Sequence, residues 1–231
     1  MLLAGLQKNS LIDYPGKVSC VVFLSGCNFH CPYCHNPDLV KNNVCPSLLD
    51  ENAFYTFLAR RKGFLDGVVI SGGEPTLQQD LVSSCEKIKK MGYPIKLDTN
   101  GSRPQVIKRL IDERVVDYVA MDIKTDPFHY HPTIARDCEP SAILSSIEII
   151  MESIVAYEFR TTCAKPLVDP GVIEKIAKTI KGARLYALQH FRSGRILDPE
   201  FFRKNEAAYT EDELMHLGII AEQWVKACIL R

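Results

Sequence analysis

Six short apolar runs punctuate the chain, at residues 19–24, 67–71, 94–98, 118–123, 157–161 and 185–189. The first is rich in β-branched residues, and the first three end at chain breakers: Ser25-Gly26, Gly72-Gly73 and Asn100-Gly101. Such runs predict buried strands. Helical segments are predicted at 51–61, 77–91, 103–114, 141–153 and 171–181, and from Thr210 to about Lys226. Start signals accompany four of them: Ser47 with Asp50, Thr76 with Gln79, Ser102 with Gln105, and Thr210 with Glu213. Gly92 is placed to stop the second helix.

Strand–helix units in succession imply a parallel sheet with right-handed crossovers. Six units are too few to close an eight-stranded barrel, and a doubly wound open sheet also fits the count. Cys27, Glu74, Asp98, Asp122, Arg160 and Gln189 decide between them, because each sits at or just past the C-terminal end of a run. A curved barrel brings all those ends to one mouth, whereas a doubly wound sheet gathers only the loops at its switch point. The expected fold is α/β, an incomplete (β/α)6 TIM-like barrel of parallel strands with an open lateral side. It forms a single domain over 1–231, with a core at about 17–192 and a helical extension at about 197–231.

The 231 residues carry 28 Lys and Arg against 28 Asp and Glu, a formal net charge of zero. That balance argues against nucleic acid or an anionic membrane as partner, since both are held by excess positive charge. No apolar run approaches the ~18 residues that span a bilayer, and residues 1–6 lack the basic start of a secretory signal. The expectation is a cytoplasmic protein whose nine cysteines stay reduced. Six of them are scattered (Cys20, Cys45, Cys85, Cys138, Cys163 and Cys228) and read as small buried residues.

Cys27, Cys31 and Cys34 are different, because they stand within eight positions in SGCNFHCPYCHNP, residues 25–37. Cys31-Pro32-Tyr33-Cys34 has the spacing of a dithiol redox motif. His30 or His35 with the three cysteines would supply four zinc ligands, although no second paired element exists in the chain. A cluster of reduced structural thiols is a third reading. The spacing C-x3-C-x2-C suits best a loop wrapped around three corners of a cubane iron–sulfur cluster, which leaves the fourth iron without a protein ligand.

This spacing, with aromatic Tyr33 before the last cysteine, resembles the signature of the radical S-adenosylmethionine superfamily. Gly72-Gly73-Glu74-Pro75 resembles that superfamily's glycine-rich motif. LIDYPGK at 11–17, CPYCHNP at 31–37, VISGGEPT at 69–76, LDTNG at 97–101, AMDIK at 120–124 and YEFRTT at 157–162 together resemble the anaerobic ribonucleoside-triphosphate reductase activating proteins, which are glycyl-radical activating enzymes. The resemblance covers about residues 7–192. It implies one 4Fe–4S cluster on Cys27, Cys31 and Cys34, and S-adenosylmethionine as cosubstrate, cleaved to a 5′-deoxyadenosyl radical. The cofactor site would include Tyr33, Gly72, Gly73, Glu74, Asp98, Thr99, Asp122, Lys124, Arg160 and Gln189, with a monovalent cation near Asp98 and Asp122. Asp98 and Asp122 would repel each other unless something positive stands between them. The implied partners are a glycyl radical enzyme, the anaerobic ribonucleotide reductase, as protein substrate and a low-potential electron donor such as flavodoxin or ferredoxin. A radical enzyme acting on a small molecule, like 7-carboxy-7-deazaguanine synthase, is the alternative.

Overall fold

The computed structural model describes residues 1–40, 49–130, 133–135, 138–203 and 207–231. In chain order its elements are β1 (Leu3–Ser10), β2 (Ser19–Leu24), α1 (Pro37–Val40), α2 (Glu51–Arg60), β3 (Gly67–Gly72), α3 (Leu81–Lys90), β4 (Ile95–Thr99), α4 (Pro104–Asp112), β5 (Tyr118–Asp122), α5 (Pro140–Glu152), β6 (Ala156–Cys163), α6 (Pro170–Thr179), β7 (Tyr186–His190), α7 (Glu211–Glu222) and β8 (Cys228–Leu230). The strands form one open eight-stranded sheet in sequence order. From β2 to β8 every neighbour is parallel, while β1 lies antiparallel on β2. The six predicted strands form β2 to β7, and the sheet takes the expected partial-barrel form.

Two strands escaped the sequence reading. β1 reads LAGLQKNS, with a glycine and a polar second half, and has no apolar run to declare it. β8 is three residues long and stands where the helical extension was expected. Both are held by a neighbour rather than by propensity: Tyr186 pairs with Cys228 and Leu188 with Leu230.

The helix starts divide in the same way. Thr210 and Glu213 form the expected reciprocal capping box. Asp50 caps α2 through the backbone N–H groups of Asn52 and Ala53, while Ser47 and Cys45 lie outside the described residues. Thr76 opens no α-helix: it sits in a short 3-10 turn, Pro75–Leu77, and α3 begins at Leu81. Ser102 does not cap α4, which starts at Pro104, where the fixed φ of proline suits the first helical position. Gly92 follows α3 with φ +90°, as a helix stop requires.

Strand alternation creates two cores. The outward faces of the strands (Val22, Ile70, Leu97, Val119 and Phe159 among them) pack under the apolar stripes of the helices, such as Ile107 and Leu110 of α4 and Ile143, Ile147 and Ile150 of α5. The inner apolar core is small and consists of Tyr14, Val21 and Val69, with Phe23 and Tyr118 against them. Tyr14 arrives from the loop between β1 and β2 and closes the floor of the barrel, with its ring 5.9 Å from that of Tyr118. Gly67 packs tightly beneath it, where a Cβ would stand 3.0 Å from the Tyr14 ring.

Above that floor the interior is polar. Glu158 of β6 is 1% exposed and takes a two-bond grip from Arg231, at 3.0 and 2.7 Å. Removing one partner of a buried pair strands the other charge. Arg231→Ala is therefore expected to lower stability by about 2–3 kcal/mol, read as a lower urea midpoint at pH 7. An unchanged midpoint would contradict this account of the inner layer.

Candidate active site

The loop after β2 carries Cys27, Cys31 and Cys34 to the mouth of the barrel. Its backbone is tied at several points: Gly26 N–H donates to Leu39 O at 2.9 Å, His30 N–H to Ile134 O at 2.7 Å, and Cys34 N–H to Cys31 O at 2.9 Å. Phe29 anchors the loop against Tyr130, with ring centroids 5.6 Å apart. All three thiols line one cavity of about 210 Å3, far more room than the roughly 10–15 Å3 a single water needs. Burial pushes the Cys27 thiol up to about 12 and the Cys31 thiol up to about 11, so metal binding there displaces protons.

Gly72 and Gly73 dock the loop after β3 onto this cysteine loop. Gly73 N–H donates to Leu24 O at 2.8 Å and Glu74 N–H to Gly26 O at 2.7 Å. A Cβ on Gly72 would stand 2.3 Å from Leu24 N, and one on Gly73 would stand 2.0 Å from Gly26 O. Gly72 also has φ +117°, which side chains disfavour. The two glycines are thus needed for backbone-to-backbone contact within the protein itself.

Glu74 is fully buried. Its carboxylate accepts from the Thr76 N–H and hydroxyl, from the Thr99 hydroxyl at 2.8 Å and from the Asn100 N–H at 2.7 Å. Three of these donors reach Oε1 and one reaches Oε2. Burial pushes its pKa up against those donors. Glu74 therefore ties the β3 loop to the end of β4, and its Oε2, with one donor, keeps an acceptor position.

A row of paired charges runs beside the cavity, and Asp98, Asp122, Lys124 and Arg160 line it. The Lys96 ammonium pairs with Asp98 Oδ1. Asp98 Oδ2 accepts from the Ser71 hydroxyl at 3.2 Å and lies 3.5 Å from Arg160 Nη1. Arg160 Nε donates to Asp122 Oδ1 at 2.7 Å, and Lys124 Nζ donates to Asp122 Oδ2 at 3.0 Å. Signs alternate from end to end, and three cations face two carboxylates. Burial alone would raise the Asp122 carboxyl, but Arg160 and Lys124 hold it well below the ordinary range. Burial would lower Lys124, yet Asp122 and Cys31 raise it. The group between Asp98 and Asp122 is the Arg160 guanidinium, at the place considered for a monovalent cation.

The cavity gathers the three cysteines with Tyr33, Gly72, Gly73, Glu74, Asp98, Thr99, Asp122, Lys124 and Arg160. Gln189 does not line it. Its partner across the ladder, Thr162, does. The sequence reading missed Ser71, Asn100 and Thr162, all lining residues, and Lys96, only 1% exposed. Lys96 was legible in principle, as the lone cation in an apolar run, two residues before Asp98 and so on the same strand face. The segment after β7 crosses to the cysteine loop: Asp198 N–H donates to Pro32 O at 3.0 Å, and His35 Nε2 meets Arg192 O at 3.0 Å. This engages His35 with the backbone rather than with a metal.

The donor set fits an iron–sulfur cluster. Three soft sulfur ligands share one wall of a cavity much larger than an ion. Among the described residues no three His, Cys, Asp or Glu side chains converge on a single ion. The account of the glycines is open to direct test. Gly73→Ala is expected to cost about 1–3 kcal/mol by overpacking and to speed thiol labelling in the cysteine loop. Gly194→Ala, where a Cβ meets nothing within 4 Å, should change neither. Equal behaviour of the two variants would contradict the docking role.

Comparison with known proteins agrees with this geometry. The profile of the Radical SAM superfamily matches residues 21–181. A Methanocaldococcus jannaschii protein, named provisionally as a glycyl-radical enzyme activating enzyme, is 39% identical over the whole of this chain and 95% of its own length. A pyruvate formate-lyase-activating enzyme from Streptococcus mutans is 33% identical over 49% of this chain and 46% of its own. Among solved structures, Streptococcus suis SuiB bound to its precursor peptide SuiA shares the fold, with a TM-score of 0.67 at 13% identity. That match covers 91% of this chain, which spans about half (48%) of SuiB. The chain belongs to the radical SAM superfamily and, within it, to the glycyl-radical enzyme activating enzymes, a membership that implies a 4Fe–4S cluster and S-adenosylmethionine.

Proposed function

We propose that the chain activates an anaerobic ribonucleotide reductase by abstracting a hydrogen from a glycine Cα of that partner. The observation that carries the activase reading is the full-length similarity to a glycyl-radical activating relative, joined to a cavity lined by three thiols and by the paired charges of Asp98, Asp122, Lys124 and Arg160. The reductase as partner is supported by the six sequence stretches at 11–17, 31–37, 69–76, 97–101, 120–124 and 157–162. Five of them supply residues to the cavity, and the first seals the barrel floor through Tyr14.

In this reading Cys27, Cys31 and Cys34 hold three irons of the cluster. When bound, the cluster and S-adenosylmethionine supply a carbon radical able to take a hydrogen atom. Lys124 is the cation best placed for the cosubstrate's carboxylate, because the charge row carries one positive charge beyond what its own carboxylates neutralise. Gly72, Gly73 and Glu74 hold the β3 loop against the cysteine loop, while Thr99 helps to fix Glu74. Asp98, Asp122 and Arg160 hold one another in place through their ion pairs. Tyr33 belongs to the cluster surroundings. The electron comes from a low-potential carrier, flavodoxin or ferredoxin.

An open sheet leaves the space between β1 and β8 unclosed by strand pairing, a geometry suited to a protein loop as substrate. The test is isotopic. With the cluster loaded and reductant present, deuterium on the target glycine Cα of an anaerobic reductase is expected in 5′-deoxyadenosine, with cleavage of S-adenosylmethionine slow in the reductase's absence. Transfer from a small purine-like molecule, with no response to the reductase, would overturn this reading.

A further inference from the structure

We propose that the Tyr33 hydroxyl is a positioning group for the cluster: it donates a hydrogen bond to the Cys31 sulfur and thereby raises the cluster's reduction potential. The inference rests on the cluster assignment above and adds a role for one side chain. Tyr33 lies between two of the three cysteines, in the turn closed by Cys34 N–H and Cys31 O. It is 3% exposed and lines the cavity. Its hydroxyl is one of two buried side-chain polar atoms among the described residues with no hydrogen-bond partner. A buried hydroxyl without a partner is costly, and a phenylalanine would avoid that cost.

Cys31, Asp122 and Tyr130 are the polar groups that act electrostatically on this hydroxyl. Each Asp122 oxygen already accepts from a cation, Arg160 on one side and Lys124 on the other. The Tyr130 oxygen accepts from the Lys124 N–H. Cys31 sulfur, two residues away in the same turn, is the acceptor that cluster binding would make negative. A thiol accepts weakly, but a metal-bound thiolate carries negative charge and accepts well. Hydrogen bonds to the sulfurs are among the features that set an iron–sulfur potential. A donor stabilises the more negative, reduced state, so its presence moves the potential upward.

The test is a potentiometric titration of the loaded protein, followed by electron paramagnetic resonance, on wild type and Tyr33→Phe. The variant is expected to keep its iron and sulfide. At the wild-type midpoint its reduced-to-oxidised ratio should fall three- to tenfold, equivalent to about 30–60 mV for a one-electron couple. A loaded variant with an unchanged midpoint would overturn the inference. If phenylalanine prevents loading, 3-fluorotyrosine at position 33 keeps the shape and donates more strongly. Its midpoint should rise, and an unchanged value would again overturn the proposal. A wild-type protein that takes up iron without sulfide would overturn the cluster assignment itself, and this inference with it.

Discussion

Period-two alternation along β4, β5 and β6 turns Lys96, Asp98, Asp122, Glu158 and Arg160 toward the barrel interior, where charge is tolerated only if it is paired. The pairing is complete. Asp98 and Asp122 each take two cations, Arg160 stands between them, and Glu158 is gripped by Arg231 from beyond β8. An eight-stranded closed barrel fills its interior with branched apolar side chains. Here only the floor is apolar, and the upper interior is a fixed electrostatic wall. That wall is preorganised, so a charged ligand entering the mouth meets charges already held in position, with little reorganisation left to do.

The second constraint is contact between two backbones. The loops after β2 and β3 approach so closely that neither Gly72 nor Gly73 can carry a Cβ. Glu74 then fastens the same loop to β4 through both carboxylate oxygens. The three cysteines are therefore held by a neighbouring loop that is itself held by the next strand. Within the protein its bonds make Glu74 a clamp between the two loops and β4, on the wall of the same cavity. Rigid support of this kind is what a site needs to keep its ligands in register.

Much of this was legible in the sequence. The six interior strands announced themselves as short runs alternating with helical segments, and the residues ending them by their polarity. The elements that escaped are those made by tertiary context. β1 and β8 are edge strands formed on a neighbour. The capping signals at Thr76 and Ser102 misled because both side chains are drawn into the site's own bonding: Thr76 serves Glu74, and the Ser102 hydroxyl accepts from Asn28 beside Cys27. A local cap and a site contact use the same hydroxyl, and the sequence does not reveal which prevails. Lys96 was overlooked because a strand reading treats a lysine as solvent-facing. Gln189 was drawn in by its place at a strand end, yet the cavity stops at Thr162 on the adjacent strand.

The central claim is that Cys27, Cys31 and Cys34 hold a cluster with one iron free to meet S-adenosylmethionine. The most direct measurement is electron paramagnetic resonance of the anaerobically reconstituted, reduced protein with and without S-adenosylmethionine. The account predicts about four irons and four sulfides per chain and a spectrum that changes on adding the cosubstrate, since it coordinates the iron that lacks a protein ligand. A full cluster whose spectrum is indifferent to S-adenosylmethionine would contradict the claim, as would tightly bound zinc without sulfide in protein isolated without air.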